Sequence, residues 1–204
     1  MNTQKTVLAA FILAMAAAVG GCSADAAPEK DTNTASPEVV QQLSDAAVQG
    51  KLRGILTDVT FTSEGDYPYV VFEGEAATGD ALDESLVREK LAAAVLANSG
   101  DGRDIKPASC RAELLDIDRA IADGDAAEVP SDPSDDEYVY ARHDKQLSIA
   151  LKTMRSQLKS VVGFTFGTNE SGDQDELGTV LYVYVGISKT TGKLIAIMTE
   201  AVYT

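Results

Sequence analysis

The chain has 204 residues, enough for one domain with a substantial core, and carries 17 basic against 32 acidic side chains, a net charge of −15. Such a surface is repelled by nucleic acid and by anionic lipid headgroups, so its natural partners are basic proteins, cations or surfaces shaped to hold phosphate, and no direct nucleic-acid binding is expected. A single histidine, His143, leaves no second one for a zinc site or a triad, so neither catalysis nor a metal site is expected.

Met1 to Cys22 reads as a processing segment. Lys5 supplies a positive start, and Thr6 to Val19 is an uncharged run too short for an ordinary spanning helix but within the range of a signal core. Val19-Gly20-Gly21-Cys22 resembles a bacterial lipobox: small residues admit the signal peptidase after residue 21, and the Cys22 thiol takes a diacylglycerol. Several acyl chains on one residue anchor firmly, at about 0.8 kcal/mol per buried methylene. Ser23 in place of Asp after that cysteine resembles an outer-membrane address, so the expected location is the bacterial envelope, facing the periplasm. An ordinary secretory signal with an incidental cysteine is the plainer alternative. Residues 22–36 are polar and acidic, with almost nothing apolar, as in a flexible tether. The folded domain is expected over 37–204.

Within it, Ser36-Pro37-Glu38 has the form of a helix start, with Ser as N-cap and Pro at the first position. Val39, Val40, Leu43, Ala46 and Ala47 follow at helical spacing, with Leu52–Leu56 as an extension beyond a weak point at Gly50. Thr62 to Pro68 is a polar loop, and Tyr69–Glu73 a short strand. Leu82–Ala97 is a second helix with Leu86, Leu91, Val95 and Leu96 inward. Ala112–Ala122 suits a strand or a short helix equally. Gly124–Glu137 is an acidic surface loop, and Arg142–Val162 a long helix striped by Leu147, Leu151, Met154 and Leu158. Phe164-Thr165-Phe166 starts a strand, and Asn169–Asp175 is a polar turn.

The stretch Leu177–Thr204 carries the strongest signal. Val180, Tyr182 and Tyr184 alternate with Leu181, Val183 and Val185, and β-branched and aromatic residues dominate. Lys189-Thr190-Thr191-Gly192 is a turn, and Lys193–Tyr203 a return strand. Both runs are apolar at nearly every position, as in a sheet covered on both faces. The chain stops at Thr204, so a carboxylate and a hydroxyl are expected at a rigid strand end. Leu151, Leu158, Val183 and Val185 are expected between the long helix and the central sheet. Cys110 has no internal partner once Cys22 is lipidated; burial or pairing between molecules both fit.

Ser63-Glu64-Gly65-Asp66-Tyr67-Pro68-Tyr69, followed by Val71-Phe72 and Glu73-Gly74, resembles the S-E-S-D-Y-P-F…V-F…E-G segment of the nuclease A inhibitor family. The ending G-I-S-K-T-T-G-K-L-I-A-I-M-T-E-A-V-Y-T is similar to that family's V-G-K-T-P-S-G-N-L-A-G-L-S-T-K-V-V-E-T. The resemblance covers about residues 37–204, weakly between Thr78 and Tyr138. It implies an α/β fold, a three-layer α/β/α sandwich of the kind called PR-1-like, with a mostly antiparallel sheet and a C-terminal β-hairpin. It implies a protein that inhibits a DNA/RNA non-specific endonuclease of the ββα-metal class and is not itself an enzyme. By position, the family's loop glutamate and terminal threonine map to Glu64 and Thr204. Tyr138 stands where the family has a tryptophan, and Asp66 joins the partner-binding set, a loop cap being its plainer role. The family type works inside the cell, whereas a lipid anchor places this chain outside the cytoplasm. An envelope lipoprotein that binds another protein, or is structural, is therefore the rival reading.

The lipobox generates the first testable expectation: Cys22→Ser releases the protein from membranes, and mass spectrometry of the wild-type N-terminus finds acyl chains on Cys22.

Overall fold

The computed structural model describes residues 41–98, 112–167 and 178–203. Cys22, the tether, the Ser36-Pro37-Glu38 start, Cys110, the Asn169–Asp175 turn and Thr204 lie outside them. Two apolar runs organise the rest. Strand β6 (Gly178–Ser188) and strand β7 (Lys193–Tyr203) pair antiparallel from Gly178↔Tyr203 to Ile187↔Leu194. The turn between them closes at Gly192, whose φ of 75° favours glycine. Ser188 Oγ accepts from the N–H groups of Thr190 and Thr191, both at 3.0 Å, which fixes the turn. All of Val180–Ser188 and Leu194–Thr199 are buried, as expected for strands covered on both sides.

Three more strands complete an antiparallel five-stranded sheet: β3 (Val70–Ala76), β4 (Ala112–Leu115) and β5 (Leu158–Gly167), in the order β3-β7-β6-β5-β4. A separate pair, β1 (Thr60–Thr62) and β2 (Asp66–Pro68), forms a small hairpin. The helices are α1 (Asp45–Ile55), α2 (Glu84–Asn98), α3 (Ile117–Ala126) and α4 (Asp136–Gln157). The strand alternation divides the core in two. Val180, Tyr182, Tyr184, Ile195 and Ile197 cluster with Val48 and Leu52 of α1, Ile117 of α3, and Leu147, Leu151 and Met154 of α4. Leu181, Val183, Val185, Leu194 and Ala196 cluster with Phe72, Phe164, Phe166 and with Val87 and Leu91 of α2. The expected α/β fold, mostly antiparallel sheet and C-terminal hairpin are all present. Val183 and Val185 are fully buried, but on the face opposite α4; Tyr182 and Tyr184 take the places expected for them.

Several boundaries differ from the sequence reading for local reasons. Residues 41–44 are not helical, and α1 begins after Ser44, whose hydroxyl accepts from the Ala47 N–H. Its inward face is Val48, Leu52 and Leu56, while Ala46 and Ala47 are exposed. Leu43 N–H donates to Gln157 Oε1 and Gln42 Nε2 to the Gln157 carbonyl, each at 2.9 Å, so tertiary bonds hold that segment extended. Helix α4 ends at Gln157, and residues 158–162 belong to β5. The switch occurs at Leu158 with extended backbone, followed by a register shift around Ser160, whose φ of 50° is left-handed. The ambiguous Ala112–Ala122 stretch is both things: a strand, then a helix capped by Asp116. Gly124 is a buried position of α3 rather than part of a loop, and the loop shortens to 127–135. Among the described residues, no helix is long and apolar enough to cross a membrane.

Two helical glycines make opposite predictions. A Cβ on Gly124 would meet the Asp144 carbonyl at 2.1 Å and Ser148 Cβ at 2.5 Å, whereas one on Gly50 would meet nothing within 4 Å. Gly50→Ala therefore raises stability by about 0.5–1 kcal/mol through helix propensity. Gly124→Ala lowers it by about 1–3 kcal/mol, because α3 must move off α4. Urea denaturation of the two variants measures both.

Candidate functional site

The Thr62–Pro68 stretch, read as a loop, is the last residue of β1, the tip and the return strand of the β1–β2 hairpin. Its register is Thr60↔Pro68, Phe61↔Tyr67 and Thr62↔Asp66, leaving Ser63-Glu64-Gly65 as a three-residue tip. Thr62 Oγ1 donates to Asp66 Oδ1 at 2.8 Å across the pair, so Asp66 clasps the opposite strand rather than its own backbone. Space at residue 65 is tight. A Cβ there would lie 3.2 Å from the Tyr67 hydroxyl and 3.3 Å from its ring, which folds back over the tip.

The hairpin is stapled to the last strand at three points. Val202 N–H donates to Ser63 Oγ at 3.0 Å, and Thr199 Oγ1 donates to the Tyr67 carbonyl at 3.0 Å. Glu64 N–H donates to the Val202 carbonyl at a longer 3.4 Å. Glu64 and Asp66 are exposed. The tip therefore stands beside residue 202, two residues before Thr204. From Gly54 to Val87 the chain has eight acids and no lysine, arginine or histidine, so the hairpin belongs to a wholly acidic stretch.

Behind the hairpin is an aromatic bolt. Phe61 stacks on Tyr182 at 4.9 Å between ring centroids and meets His143 edge-on at 5.3 Å. Tyr69 lies over the same imidazole at 5.8 Å, and its hydroxyl is 2.7 Å from His143 Nε2. His143 Nδ1 is 2.9 Å from Asp144 Oδ1. A carboxylate is an acceptor, so Nδ1 carries the hydrogen and Nε2 accepts from the phenol. Burial, and after it the charges of Tyr184, Asp144 and Tyr182, hold the Tyr69 phenol well above its usual range, which keeps it a donor. His143 is thus a largely shielded residue that fixes the base of the hairpin to α4.

Tyr138 sits half-buried in the first turn of α4. It lines a cleft of about 100 Å³ with Asp58, Thr60, Val139, Arg142 and His143. Arg142 donates to the Asp58 carbonyl at 2.8 Å, holding the turn after α1, where Asp58 has a φ of 57°. Thr60 is shared between this cleft and the hairpin base. Glu64 is four residues further on, about 13 Å along an extended strand. Tyr138 therefore lies near the base of the hairpin and Glu64 at its tip, and Thr204 lies outside the described residues. Ser63, Thr199 and His143 were not legible as site residues, because each acts through a partner distant in sequence. Among the described residues, no three of His, Cys, Asp and Glu converge as a metal set.

Compared with known proteins, the sequence matches no family model and no curated protein.

The buried phenols make a pH prediction. Tyr69 is raised, and Tyr184 is pushed up to about 12 by burial and by Asp144. The unfolded chain releases these protons near pH 10. Their contribution is therefore fully present below about pH 10 and is lost as pH rises through the folded values. Tyr69→Phe lowers stability at pH 7 by about 1 kcal/mol, for the lost hydrogen bond, and flattens the alkaline decline. Thermal melts between pH 8 and 11.5 measure both effects.

Proposed function

We propose that this protein inhibits a metal-dependent, sugar-non-specific DNA/RNA endonuclease, and that it does so from the bacterial envelope, held by lipid on Cys22. The observation that carries the reading is the stapling of the Glu64 hairpin onto β7 at Val202. A projecting hairpin enters a concave site that a flat surface cannot reach. The target's cleft is built to hold phosphodiester oxygens around a cation. A carboxylate delivered on a short, braced tip occupies the same positive field, with Thr204 as the second contact of this reading. Asp66 contributes charge next to Glu64 while keeping the tip closed. Tyr138 offers an aromatic edge at the base of the projection.

Pre-organisation matters energetically. A free loop is ordered at the moment of binding, whereas this tip is already fixed by Ser63, Thr199 and the His143 bolt, so little affinity is lost to ordering. The net charge of −15 steers the encounter with a basic cleft, which makes association fast and salt-sensitive.

The test is inhibition of a purified ββα-metal nuclease. Glu64→Gln weakens inhibition tenfold or more, about 1.4 kcal/mol, and leaves the melting temperature nearly unchanged because the side chain is exposed. Ser63→Ala loosens the tip and weakens inhibition less. Residues appended after Thr204 also weaken it. Equal inhibition by wild type, Glu64→Gln and the extended chain would remove both contacts, and failure of the wild type to inhibit or retain any such nuclease would remove the function.

A further inference from the structure

On the same face of the sheet as the hairpin, but toward the β4 edge, β4 and α3 enclose an open pocket of about 400 Å³. Its position follows from the fold. Strand β4 is the last in the sheet, Asp116 caps α3 immediately after it, and α3 turns back over the same face. Across the ladder, Glu113 pairs with Thr165 and Leu115 with Gly163, so all four share the face that α3 covers. The Tyr184 ring lies against Gly163, where a Cβ would meet it at 2.8 Å and Leu115 Cβ at 3.0 Å. Thr165 and Tyr184 are therefore on the sheet side of the pocket, Leu115 and Ala120 form apolar wall, and Glu113, Asp116, Arg119 and Asp123 stand at the rim.

Thr165 is the anomaly. It is 1% exposed, and its hydroxyl oxygen has no hydrogen-bond partner among the described residues. An unpaired buried polar group costs about 1–3 kcal/mol, and natural proteins carry few of them. Valine would fill the same place without that cost. The charge around the pocket has a definite sign: three carboxylates stand against one guanidinium. Arg119 is itself turned outward, 3.5 Å from Asp123. Tyr184 beside Thr165 remains a neutral phenol, held so by burial and by the negative field of Asp144. Neutral hydroxyls at the floor, carboxylates at the rim and short apolar walls between them suit a ligand with an N–H-rich cation at the end of a short alkyl stem.

We propose that this pocket binds a primary alkylammonium group, with the cation held between the Thr165 and Tyr184 hydroxyls and the carboxylates of Glu113 and Asp123, and its stem along Leu115 and Ala120. The ammonium is a three-way donor with no acceptor, matched here by hydroxyl and carboxylate oxygens, with Arg119 turned outward. Its source is either a free amine or a lysine side chain. This site is separate from the hairpin and does not rest on the inhibitory reading.

The experiment is an amide-resolved NMR titration of the full chain with n-butylammonium, using 1-butanol as the neutral control. The expected result is saturable shifts at Leu115, Thr165 and Tyr184 with butylammonium and none with butanol. Thr165→Val weakens the binding tenfold or more while leaving the melting temperature unchanged or higher, since the lost hydroxyl was unpaired. Glu113→Gln, at an exposed position that does not threaten folding, weakens it severalfold. A parallel titration with Nα-acetyl-lysine methylamide assigns the source: binding at least as tight as butylammonium points to a lysine, weaker binding to a free amine. No saturable shift with butylammonium, equal shifts with butanol, or a Thr165→Val variant that melts several degrees lower each overturn the proposal.

Discussion

The ladder between β6 and β7 carries the other elements. It is the longest pairing in the sheet and lies at its centre, and both strands are buried on both faces. Strands β3 and β5 pair directly with these two strands, while β4 joins through β5 and α3 packs on α4. Strand β5 takes the outer edge of β6, and β3 the outer edge of β7. Helices α1 and α4 lie on the Tyr182–Tyr184 face and α2 on the Val183–Val185 face. The burial is mostly apolar side chains of ordinary size, each worth roughly 1.5–3 kcal/mol when fully removed from water. The polar groups that remain inside are spent on fixing geometry. Ser188 ties the β6–β7 turn to the first turn of α1 by donating to Asp45 Oδ1 at 2.5 Å while accepting from two backbone amides.

Because that ladder is rigid, features attached to its end inherit its position. The β1–β2 hairpin is too short to be stable alone, and its form depends on what it leans on. On one side β7 supplies Val202 and Thr199. On the other, α4 supplies His143, with Phe61 and Tyr69 closing over the imidazole from the two ends of the hairpin. The acidic tip is thus exposed in its side chains and fixed in its backbone. That combination is what a protein surface needs to push a carboxylate into a partner's cleft, and it underlies the inhibitory reading proposed above.

Two regions of the same sheet face carry two kinds of chemistry. Beside β7 the Ser63 hydroxyl and the Tyr67 carbonyl are bonded within the fold, and the Glu64 and Asp66 charges are offered outward. At the β4 edge a hydroxyl is left unsatisfied inside, below an acidic rim. The edge strand has four residues, and Leu114 on its other face is 74% exposed. Such an edge is where a sheet is least committed internally, so a site that depends on an external donor is accommodated there at little cost to the central ladder.

The sequence by itself determined what depends on local pattern. Alternation through Val180–Val185 and the Thr190-Thr191-Gly192 turn gave the C-terminal hairpin with its correct strands, because period two and a left-handed glycine are local facts. Apolar density on both faces announced a sheet covered twice, and the second helix was legible from its apolar spacing, although Val87 and Leu91 are buried there and Leu86 only partly so. What it did not determine were the places where a distant partner overrides local preference. Residues 41–44 have helical spacing but are drawn straight by Gln157. The α4 stripe runs through Leu158, yet the helix stops there because β5 must pair with β6. Ser63, Thr199 and His143 look like unremarkable polar residues until the fold sets them against Val202, Tyr67 and Tyr69. Thr165 looks like one more strand threonine until burial leaves its hydroxyl alone. Periodicity encodes which face a side chain takes; only tertiary structure decides what waits on that face, since contact between residues more than a hundred positions apart leaves no trace in the spacing of either.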